Sequence, residues 1–432
     1  MPKPTPGSKY TIVKGDTLWD IAGAAYGIPS RWPKIWEANK NTLRSGDPNM
    51  IYPGEIIAIP PQPDLEPTPS SDSELLTVYD PKEDLTEDIQ IFIQGHRIRC
   101  ISSRVIRTMD TGADGFTAVL YWDYEDTIMA DLLRPYSYPD AKVYVGGQLV
   151  LTGSLYTPEP TVKEDEIFIN IEGFTDTVDI VDSNCEPPYE RRNITLYKLA
   201  DDMVSPYGIK VIDDVGGNEV FAKTTAEPTD TIFEFLAGLA KQRSVLLSST
   251  PRGELLITKA RTGLKSVGSI GDELPYSNDY SVRFDGRTRF SSYKMLSKRR
   301  GSINTIKAVS IDQNMVRRRL KNIQADDTTT TEIQKAADWE RSRGMGDSMS
   351  MPFPVSSWYA PDGTLWRENT IVTVTSPRLF IPYGFDFLIT QVEYIFSEDG
   401  QTAILHLVPP QVYTGEPIEE PWHKYWKYRY SR

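Results

Sequence analysis

The alternation of apolar and polar positions in residues 9–60 predicts a small βααβ unit. Two short runs, at 9–14 and 55–59, have strand character, and two stretches between them have helical spacing. Gly15-Asp16 interrupts the first strand, and Asp16 is predicted to cap the helix that follows. The apolar stripes of the two helices are formed by Leu18, Ile21, Ala22, Ala25 and Tyr26, then by Trp32, Ile35, Trp36 and Asn39.

From residue 89 onward, short β-branched and aromatic runs separated by Gly turns predict a strand-rich body. Helical spacing interrupts the strands near 195–206 and 229–243, and again at 331–343. The predicted fold class is mainly β with α+β insertions, in which a small βααβ module precedes a multi-domain body of β-barrels. The predicted division is 1–60 for the module, 61–88 for a Pro-rich acidic linker, 89–175 for a first barrel-like domain, 176–265 for an α+β domain, 266–413 for a second β-rich domain and 414–432 for an aromatic and basic tail.

The N-terminal unit contains YTIVKGDTLWDIA, AYG, WPKIWEANK and NMIYPGEIIAIP, in that order. With these segments it resembles the LysM family, whose modules bind glycans that contain N-acetylglucosamine, such as peptidoglycan or chitin. The resemblance implies a sugar groove between the loop after the first strand and the loop before the last strand. The residues that it assigns to this groove are Gly15, Asp16, Thr17, Leu18, Asn49, Met50, Ile51, Tyr52 and Pro53.

Two other interpretations of this module stay open. Gly15 and Asp16 also suit a plain turn and cap, and Leu18 also suits the core. Modules of this kind also act as clips between proteins during assembly, without binding glycan.

The body contains an ordered series of segments that resembles a second family. They are LTGSLYTPEP at 151–160, INIEGFTDTVDIVDSNCE at 169–186, LADDMVSPYGIKV at 199–211, TIFEFLAGLAKQRSVLLSSTPRGELLIT at 231–258, RFSSYKMLSK at 289–298, AADWERSRGMG at 336–346, DGTLWRENTIVTV at 362–374 and FLITQVEYIFSEDGQTAILHLVPPQVY at 387–413. Together they resemble the phage Mu-type baseplate hub, the tail protein P family of contractile tails. The Arg-rich stretch of that family is present only as Arg317 to Lys321, so its role stays open.

The second resemblance implies architecture and partners. Such a hub is a homotrimeric ring that adapts the sixfold tail tube to the threefold spike. Its partners would be the tail tube or tube-initiator protein, the central spike and the baseplate wedge proteins, with peptidoglycan as a further ligand of the LysM module. The protein would be assembled in the host cytoplasm and located in the baseplate of the virion. The resemblance does not separate a phage from a phage-like injection device.

Charge and hydropathy exclude several classes of protein. The chain of 432 residues has 47 Lys and Arg against 60 Asp and Glu, a net charge of −13. This charge argues against sequence-specific nucleic-acid binding, which calls for a basic face. No apolar run approaches the roughly 20 residues that a membrane helix needs, and the N-terminus does not resemble a signal peptide. Residues 63–90 alone hold nine acids against one base, so most of the net charge lies on the predicted linker.

The sequence supplies few groups for catalysis or metal binding. Its three histidines, at 96, 406 and 423, are isolated, and no HxxH or CxxC spacing occurs. Cys100 and Cys185 lack the context of a catalytic nucleophile and are predicted to be buried structural thiols. We therefore expect no catalytic residue, metal ligand or cofactor, and no enzymatic activity. The alternative is a peptidoglycan hydrolase that its LysM module brings to the cell wall.

The C-terminal segment EPIEEPWHKYWKYRYSR mixes aromatic and basic residues. This combination of residues suits stacking on nucleic-acid bases or anchoring on an acidic protein neighbour. The acidic balance of the chain favours the protein neighbour.

Overall fold

The computed structural model divides the chain into two compact units, Met1–Ser71 and Asp72–Arg432. The residues that the structure describes are 4–5, 7–26, 32–40, 42–45, 50–60, 88–123, 125–163, 166–272, 280–297, 306–325, 330–418 and 420–422. Asn49, the predicted linker up to residue 87 and the tail beyond residue 422 lie outside them.

The N-terminal unit is a two-stranded antiparallel sheet with two helices. Strand β1 (Lys9–Thr11) pairs with β2 (Ile56–Ala58), and helices α1 (Leu18–Tyr26) and α2 (Trp32–Asn39) lie between them in the chain. The predicted βααβ order is confirmed. The buried core of the unit consists of Ile12, Leu18, Ile21, Ala22, Ile35, Leu43, Ile57 and Ile59.

Helix α1 is capped by Thr17 and not by Asp16. The Thr17 hydroxyl accepts a hydrogen bond from the Asp20 amide at 3.0 Å and donates one to the Asp20 carboxylate at 2.7 Å. The prediction for Asp16 was therefore wrong by one residue. Because Asp and Thr are both favourable N-caps, two adjacent candidates cannot be separated by residue type alone.

The second unit contains all the remaining elements. Its helices are α3 (Thr127–Leu132), α4 (Val178–Asp182), α5 (Leu196–Val204), α6 (Ile232–Gln242) and α7 (Thr330–Gly346), with short 3-10 helices at Ser205–Tyr207, Pro377–Leu379 and Pro410–Tyr413. Its strands are β3 (Ile89–Ile93), β4 (His96–Ile98), β5 (Ser102–Thr108), β6 (Gly115–Tyr121), β7 (Asp140–Val145), β8 (Gln148–Lys163), β9 (Glu166–Thr175), β10 (Glu190–Thr195), β11 (Val211–Asp213), β12 (Val220–Thr225), β13 (Leu246–Ser249), β14 (Leu255–Thr258), β15 (Ser269–Gly271), β16 (Arg283–Phe284), β17 (Ser292–Ser297), β18 (Ile306–Ile311), β19 (Leu320–Ala325), β20 (Met349–Ser350), β21 (Pro352–Val355), β22 (Ile371–Ser376), β23 (Ile381–Ser397) and β24 (Gly400–Val408).

Twelve of these strands form one branched sheet. Its main path runs β15-β22-β23-β5-β6-β9-β8-β7-β3-β4, and β24 joins β21 to the side of β23. Strands β22 and β5 pair with successive stretches of β23 along one edge, while β24 pairs along the other edge. Residues distant in sequence therefore meet along a single strand.

The mainly β fold class is confirmed, but the expected barrels are not closed. Among the described strands no pairing joins the two end strands, β15 and β4. Alternation along a strand specifies which side chains are buried, but it does not specify which strand pairs with which at the ends of a sheet. One buried cluster nevertheless extends through the whole sheet, including Val105, Phe116, Val143, Phe353 and Val392.

Four smaller sheets occur among the described residues of the body: two antiparallel pairs, β10 with β12 and β16 with β20, and two three-stranded sheets. Strand β14 pairs with β11 and β13, and these pack with α5 and α6 around a separate core that contains Leu199, Leu236 and Leu255. Strand β17 lies between β18 and β19, and helix α7 packs against this sheet through Ile333 and Ala337. The domain limits given above stay a prediction. No helix in the described part of the chain is long and apolar enough to cross a membrane.

Candidate functional site

The two loops that the LysM resemblance assigns to a sugar groove lie side by side. The Gly54 amide donates to the Ile12 carbonyl at 2.8 Å, and the Ile12 amide donates to the Glu55 carbonyl at 2.9 Å. These bonds extend the pairing of β1 with β2 toward the loops. They hold the start of the first loop next to the end of the second, while the assignment of residues 15–18 and 50–53 to a sugar groove stays a prediction.

In the first loop, the side chains of Asp16 and Leu18 stabilise the N-terminal unit itself. The Asp16 carboxylate accepts from the Val13 amide at 2.8 Å and from the Tyr10 hydroxyl at 3.0 Å. Burial, together with the bond to Asp16, raises the pKa of Tyr10 above its ordinary value. Gly15 has a φ of +99°, which a side chain would strain, and Leu18 is buried in the core. This loop can offer a ligand its backbone groups and the outer edge of Asp16.

In the second loop, apolar side chains face outward. Met50 is 50% exposed and Tyr52 is 41% exposed, and Pro53 beside them is exposed as well. Ile51 is only partly exposed because it packs against the core of the unit. An exposed aromatic ring next to backbone donors and acceptors can pack on a sugar face while the backbone binds an acetamide group.

Glu55 shapes the second loop, and the sequence did not single it out. Its carboxylate accepts from the Tyr52 amide and from the Arg44 amide, both at 2.9 Å. The backbone bonds from Arg44 and Tyr52 lower the pKa of Glu55, so it stays ionised in neutral solution. The only sequence signal for this role is its position directly after the Pro53-Gly54 turn.

Asn39 fixes α2 to the strand that ends the unit. Its amide nitrogen donates to the Ile35 and Ala58 carbonyls, each at 2.7 Å, and its amide oxygen accepts from the Ala58 amide at 2.8 Å. The side chain is 3% exposed. It therefore acts as a pairing partner for β2, and it holds the loop before β2 in place.

The second unit has a buried ionic cluster at the junction of three of its parts. Arg107 of β5 bonds the carboxylate of Asp114 at 2.8 Å and that of Glu368 at 2.9 Å. It also donates to the Ser249 carbonyl at 2.8 Å. A cavity of about 30 Å³ beside it has room for about one water molecule. We call Arg107, Asp114, Ser249 and Glu368 the Arg107 joint.

The two carboxylates of the Arg107 joint respond differently to burial. Burial raises the pKa of Asp114 to about 6, although Arg107 acts against this shift. For Glu368, burial acts to raise the pKa, but the positive charge of Arg107 acts to lower it and prevails. The pKa of Glu368 therefore lies below its ordinary value. Every charged group of the joint is held by another group of the joint, which is the arrangement of a structural link.

Metal ligands and thiols give no site among the described residues. No group of three His, Cys, Asp or Glu in that part of the chain could hold a metal ion. Cys185 is buried and Cys100 is partly buried, and burial raises the pKa of Cys100 to about 12. His406 bonds the Glu393 carboxylate at 2.8 Å, and His423 lies outside the described residues.

Three family models match the chain. Residues 10–60 match the LysM domain, residues 177–259 match the second domain of the baseplate hub protein gp44-like family, and residues 329–416 match the fourth domain of the Mu phage baseplate assembly protein GpP. The chain therefore combines a match to the LysM domain with matches to two domains of Mu-type baseplate proteins. The LysM match includes both loops of the candidate sugar groove.

The body of the chain is similar to tail and baseplate proteins. Baseplate hub protein gp44 of Escherichia phage Mu is 28% identical over 284 residues, which are 61% of this chain and 73% of gp44. The crystal structure of the 43 kDa tail protein of prophage MuSo2 from Shewanella oneidensis superimposes with a TM-score of 0.66 at 28% identity, over 75% of this chain and 99% of that protein. The tail protein from Neisseria meningitidis MC58 has the same TM-score at 19% identity, over 76% of this chain and 98% of its own, and so shares the fold.

The LysM domain has relatives of other kinds. Potassium binding protein Kbp of Escherichia coli O6:H1 is 47% identical over 51 residues, which are 12% of this chain and 33% of Kbp. The likeness is therefore confined to this one module.

Proposed function

We propose that the chain is the structural hub of a tail baseplate, in a contractile phage or a phage-like injection device. The observation that carries this proposal is the match of the body to baseplate hub protein gp44 of phage Mu, together with a superposition that covers 99% of a prophage tail protein and 75% of this chain. The protein would be located in the virion tail after assembly in the host cytoplasm.

In this proposal the hub is a homotrimeric ring that adapts the sixfold tail tube to the threefold spike. A closed ring presents the same surface several times around one axis, which suits a joint between neighbours of different symmetry. Its partners would be the tube or tube-initiator protein, the spike and the wedge proteins of the baseplate. The Arg107 joint supports this role because it gives the body a rigid connection between parts that are distant in sequence.

Sedimentation of the full chain and imaging of particles test the hub proposal. We expect a species of three times the 48.9 kDa chain mass, and labelled protein at the baseplate of isolated tails. A monomer at all concentrations, together with tails that assemble normally without the protein, would contradict it.

We further propose that the LysM domain binds glycan through the loops at 15–18 and 50–53. The exposure of Met50 and Tyr52 beside backbone groups supports this. The full chain should be retained on insoluble peptidoglycan, and Tyr52→Ala should weaken this retention. Tyr197→Ala is a matched control because Tyr197, on α5 of the body, is 40% exposed against 41% for Tyr52. Equal retention of both variants would favour the protein-clip interpretation.

We also propose that the protein has a structural role and no catalytic activity. The relatives of the body are described as tail and baseplate proteins, and the buried carboxylates of Asp114, Glu368 and Glu393 are all held in ion pairs. Zymography of purified protein on peptidoglycan should leave the gel opaque. A cleared band would support the hydrolase alternative.

A further inference from the structure

The positive charge of the chain is concentrated in one segment. Residues 283–325, which contain β16 to β19, have twelve Lys and Arg against two Asp and Glu, a net charge of +10 in a chain of −13. Several of these bases are neutralised locally: Arg287 pairs with Asp285, Arg289 with Asp312, and Lys321 with Glu340. The Lys and Arg side chains without such a partner determine which ligands this segment can bind.

One face of the β17–β19 sheet has no cover among the described residues. Helix α7 packs on the inner face, where Tyr293, Met295 and Ala308 are buried. The register places alternate residues in rows on the outer face, with Ile311, Ser292 and Leu320 in one row and Val309, Lys294 and Asn322 in the next. Apolar side chains therefore alternate with polar and basic side chains on the outer face.

The outer face combines exposed apolar side chains with unpaired cations. Ile311 is 61% exposed, Leu320 is 46% exposed, and Val316 in the adjoining loop is 98% exposed. No acidic partner in the described part of the chain lies within ion-pair distance of the cations on this face. The basic sheet face, as we call it, comprises Lys294, Lys307, Val309, Ile311, Val316, Arg317, Arg318 and Leu320.

A second exposed surface has the complementary composition. In and beside α3, Ile128 is 61% exposed and Tyr136 is 86% exposed. Leu132 and Leu133 anchor α3 in the core of the large sheet, so this surface is firmly held. Residues 121–140 contain five acids and one base. The acidic aromatic face, as we call it, comprises the exposed residues of α3 and of the chain directly beside it: Asp123, Glu125, Asp126, Ile128, Asp131 and Tyr136.

We propose that the basic sheet face of one copy docks on the acidic aromatic face of the next copy. This inference rests on the proposed hub function and names the surfaces that would close its ring. Two different faces of the same chain meet in such a contact, and a head-to-tail contact produces a ring when its rotation closes. Apolar side chains would form the centre of the contact, and opposite charges would set its register and exclude a contact between like faces.

A nucleic acid is a poorer occupant of the basic sheet face. Phosphate binding is driven by cations, and its strength follows the number of phosphates neutralised. Here Val309, Ile311 and Leu320 occupy positions that would face the charged backbone. Contact with the aromatic and aliphatic residues of a protein surface removes the apolar area of these side chains from water. It therefore stabilises them more than contact with a charged phosphate backbone would.

Charge reversal on the full chain tests the docking. Lys307→Glu with Arg318→Glu reverses the basic sheet face, and Glu125→Lys with Asp131→Lys reverses the acidic aromatic face. All four side chains are exposed and make no ion pair within the described residues, so the fold should be retained. Each pair should weaken self-association about tenfold or more in sedimentation velocity. A chain with all four changes should associate nearly as well as the wild type, because the charges are again complementary.

The matched control is Lys210→Glu with Lys265→Glu, two exposed lysines outside both faces with the same change in net charge. This control should associate like the wild type, and thermal melting should be unchanged in every variant. Two outcomes would overturn the docking while the hub function stands, provided that the wild type assembles. One is that the charges of either face can be reversed without effect on assembly. The other is that the chain with all four changes does not assemble. Loss of binding to a DNA duplex in the Lys307→Glu, Arg318→Glu variant, with normal assembly, would also overturn it. A wild type that neither self-associates nor enters tails would overturn both proposals.

Discussion

At the scale of the residue, Arg107 has the largest expected effect on stability. Its guanidinium is 3% exposed and lies between two carboxylates of parts that are distant in sequence. Arg107→Met would leave Asp114 and Glu368 buried without a counter-charge, at a cost of about 3–5 kcal/mol in the free energy of unfolding. Thermal or denaturant midpoints of the full chain measure this loss.

Arg104 offers a matched control for that change. It lies on the same strand and pairs with Glu393, but 48% of its side chain is exposed. Arg104→Met should cost about 1 kcal/mol or less. Equal losses for the two variants would show that the Arg107 joint is not a special link.

Glu393 makes the stability of the body depend on acidity. Burial acts to raise its pKa, but its bonds with His406 and Arg104 prevail and hold it below the ordinary value of 4.5. A carboxylate with a lowered pKa contributes stability above its unfolded pKa, and this contribution is lost as the pH falls through the folded value. Glu393→Gln should therefore lose less stability than the wild type as the pH falls from neutral into the acid range below the ordinary pKa of a glutamate. Parallel curves of melting temperature against pH would contradict this assignment.

The glycan role of the candidate groove residues stays a prediction of the LysM resemblance. That resemblance assigned Asp16 to the glycan, and the structure shows its carboxylate engaged by Val13 and Tyr10. Glu55 has no distinctive residue pattern, and the helical stripe that includes Asn39 does not indicate its bonds to Ala58. The Arg107 joint was also missed, because 261 positions separate Arg107 from Glu368 and no local pattern reports such a contact.

At the scale of the element, the hairpin of β8 and β9 depends on a glycine. A Cβ added to Gly153 would lie 1.8 Å from the Phe174 carbonyl oxygen, on the backbone of the paired strand. Gly153→Ala should destabilise the body by about 1–3 kcal/mol, because the two strands would have to separate. Gly217→Ala, where a Cβ meets nothing within 4 Å, should change the melting temperature little. A neutral Gly153→Ala would mean that the strands pack less closely.

In the N-terminal unit, the attachment of α2 to β2 depends on Asn39. Asn39→Ala leaves the Ala58 amide and carbonyl without their side-chain partner, at an expected cost of about 1–3 kcal/mol. Hydrogen exchange of residues 50–60 in the full chain should become faster. Thr42→Ala removes only one partly buried bond to the Asn39 carbonyl and leaves β2 with its partner, so exchange should be nearly unchanged.

Elements with strong local periodicity were predicted well. The helical spacing at 331–343 predicted a helix, which is observed as α7, from Thr330 to Gly346. What the sequence could not supply was the order of strands. The branch at β23 joins β5, β22 and β24, and nothing in the composition of β23 distinguishes a strand with three partners from one with two.

At the scale of the whole molecule, the first and last parts of the body share one core. Val105 and Phe116 belong to the same buried cluster as Phe387 and Val392. A chain truncated after residue 265 should therefore fail to fold between residues 89 and 175, because the partner edge of β5 and half of the core are missing. Circular dichroism and limited proteolysis would detect this failure. A chain that starts at residue 72 removes only the first compact unit and should remain folded.

The long strand β23 also has a mechanical consequence. It has 17 residues, and at about 3.3 Å per residue it extends for roughly 55 Å through the body. A load directed along its axis would shear its hydrogen bonds with β22, β5 and β24 together, whereas a load across it would peel one strand away at a time. Resistance to force should therefore be direction-dependent. In a device that drives a spike through a cell envelope, the stiff direction of the hub would be the direction in which β23 points.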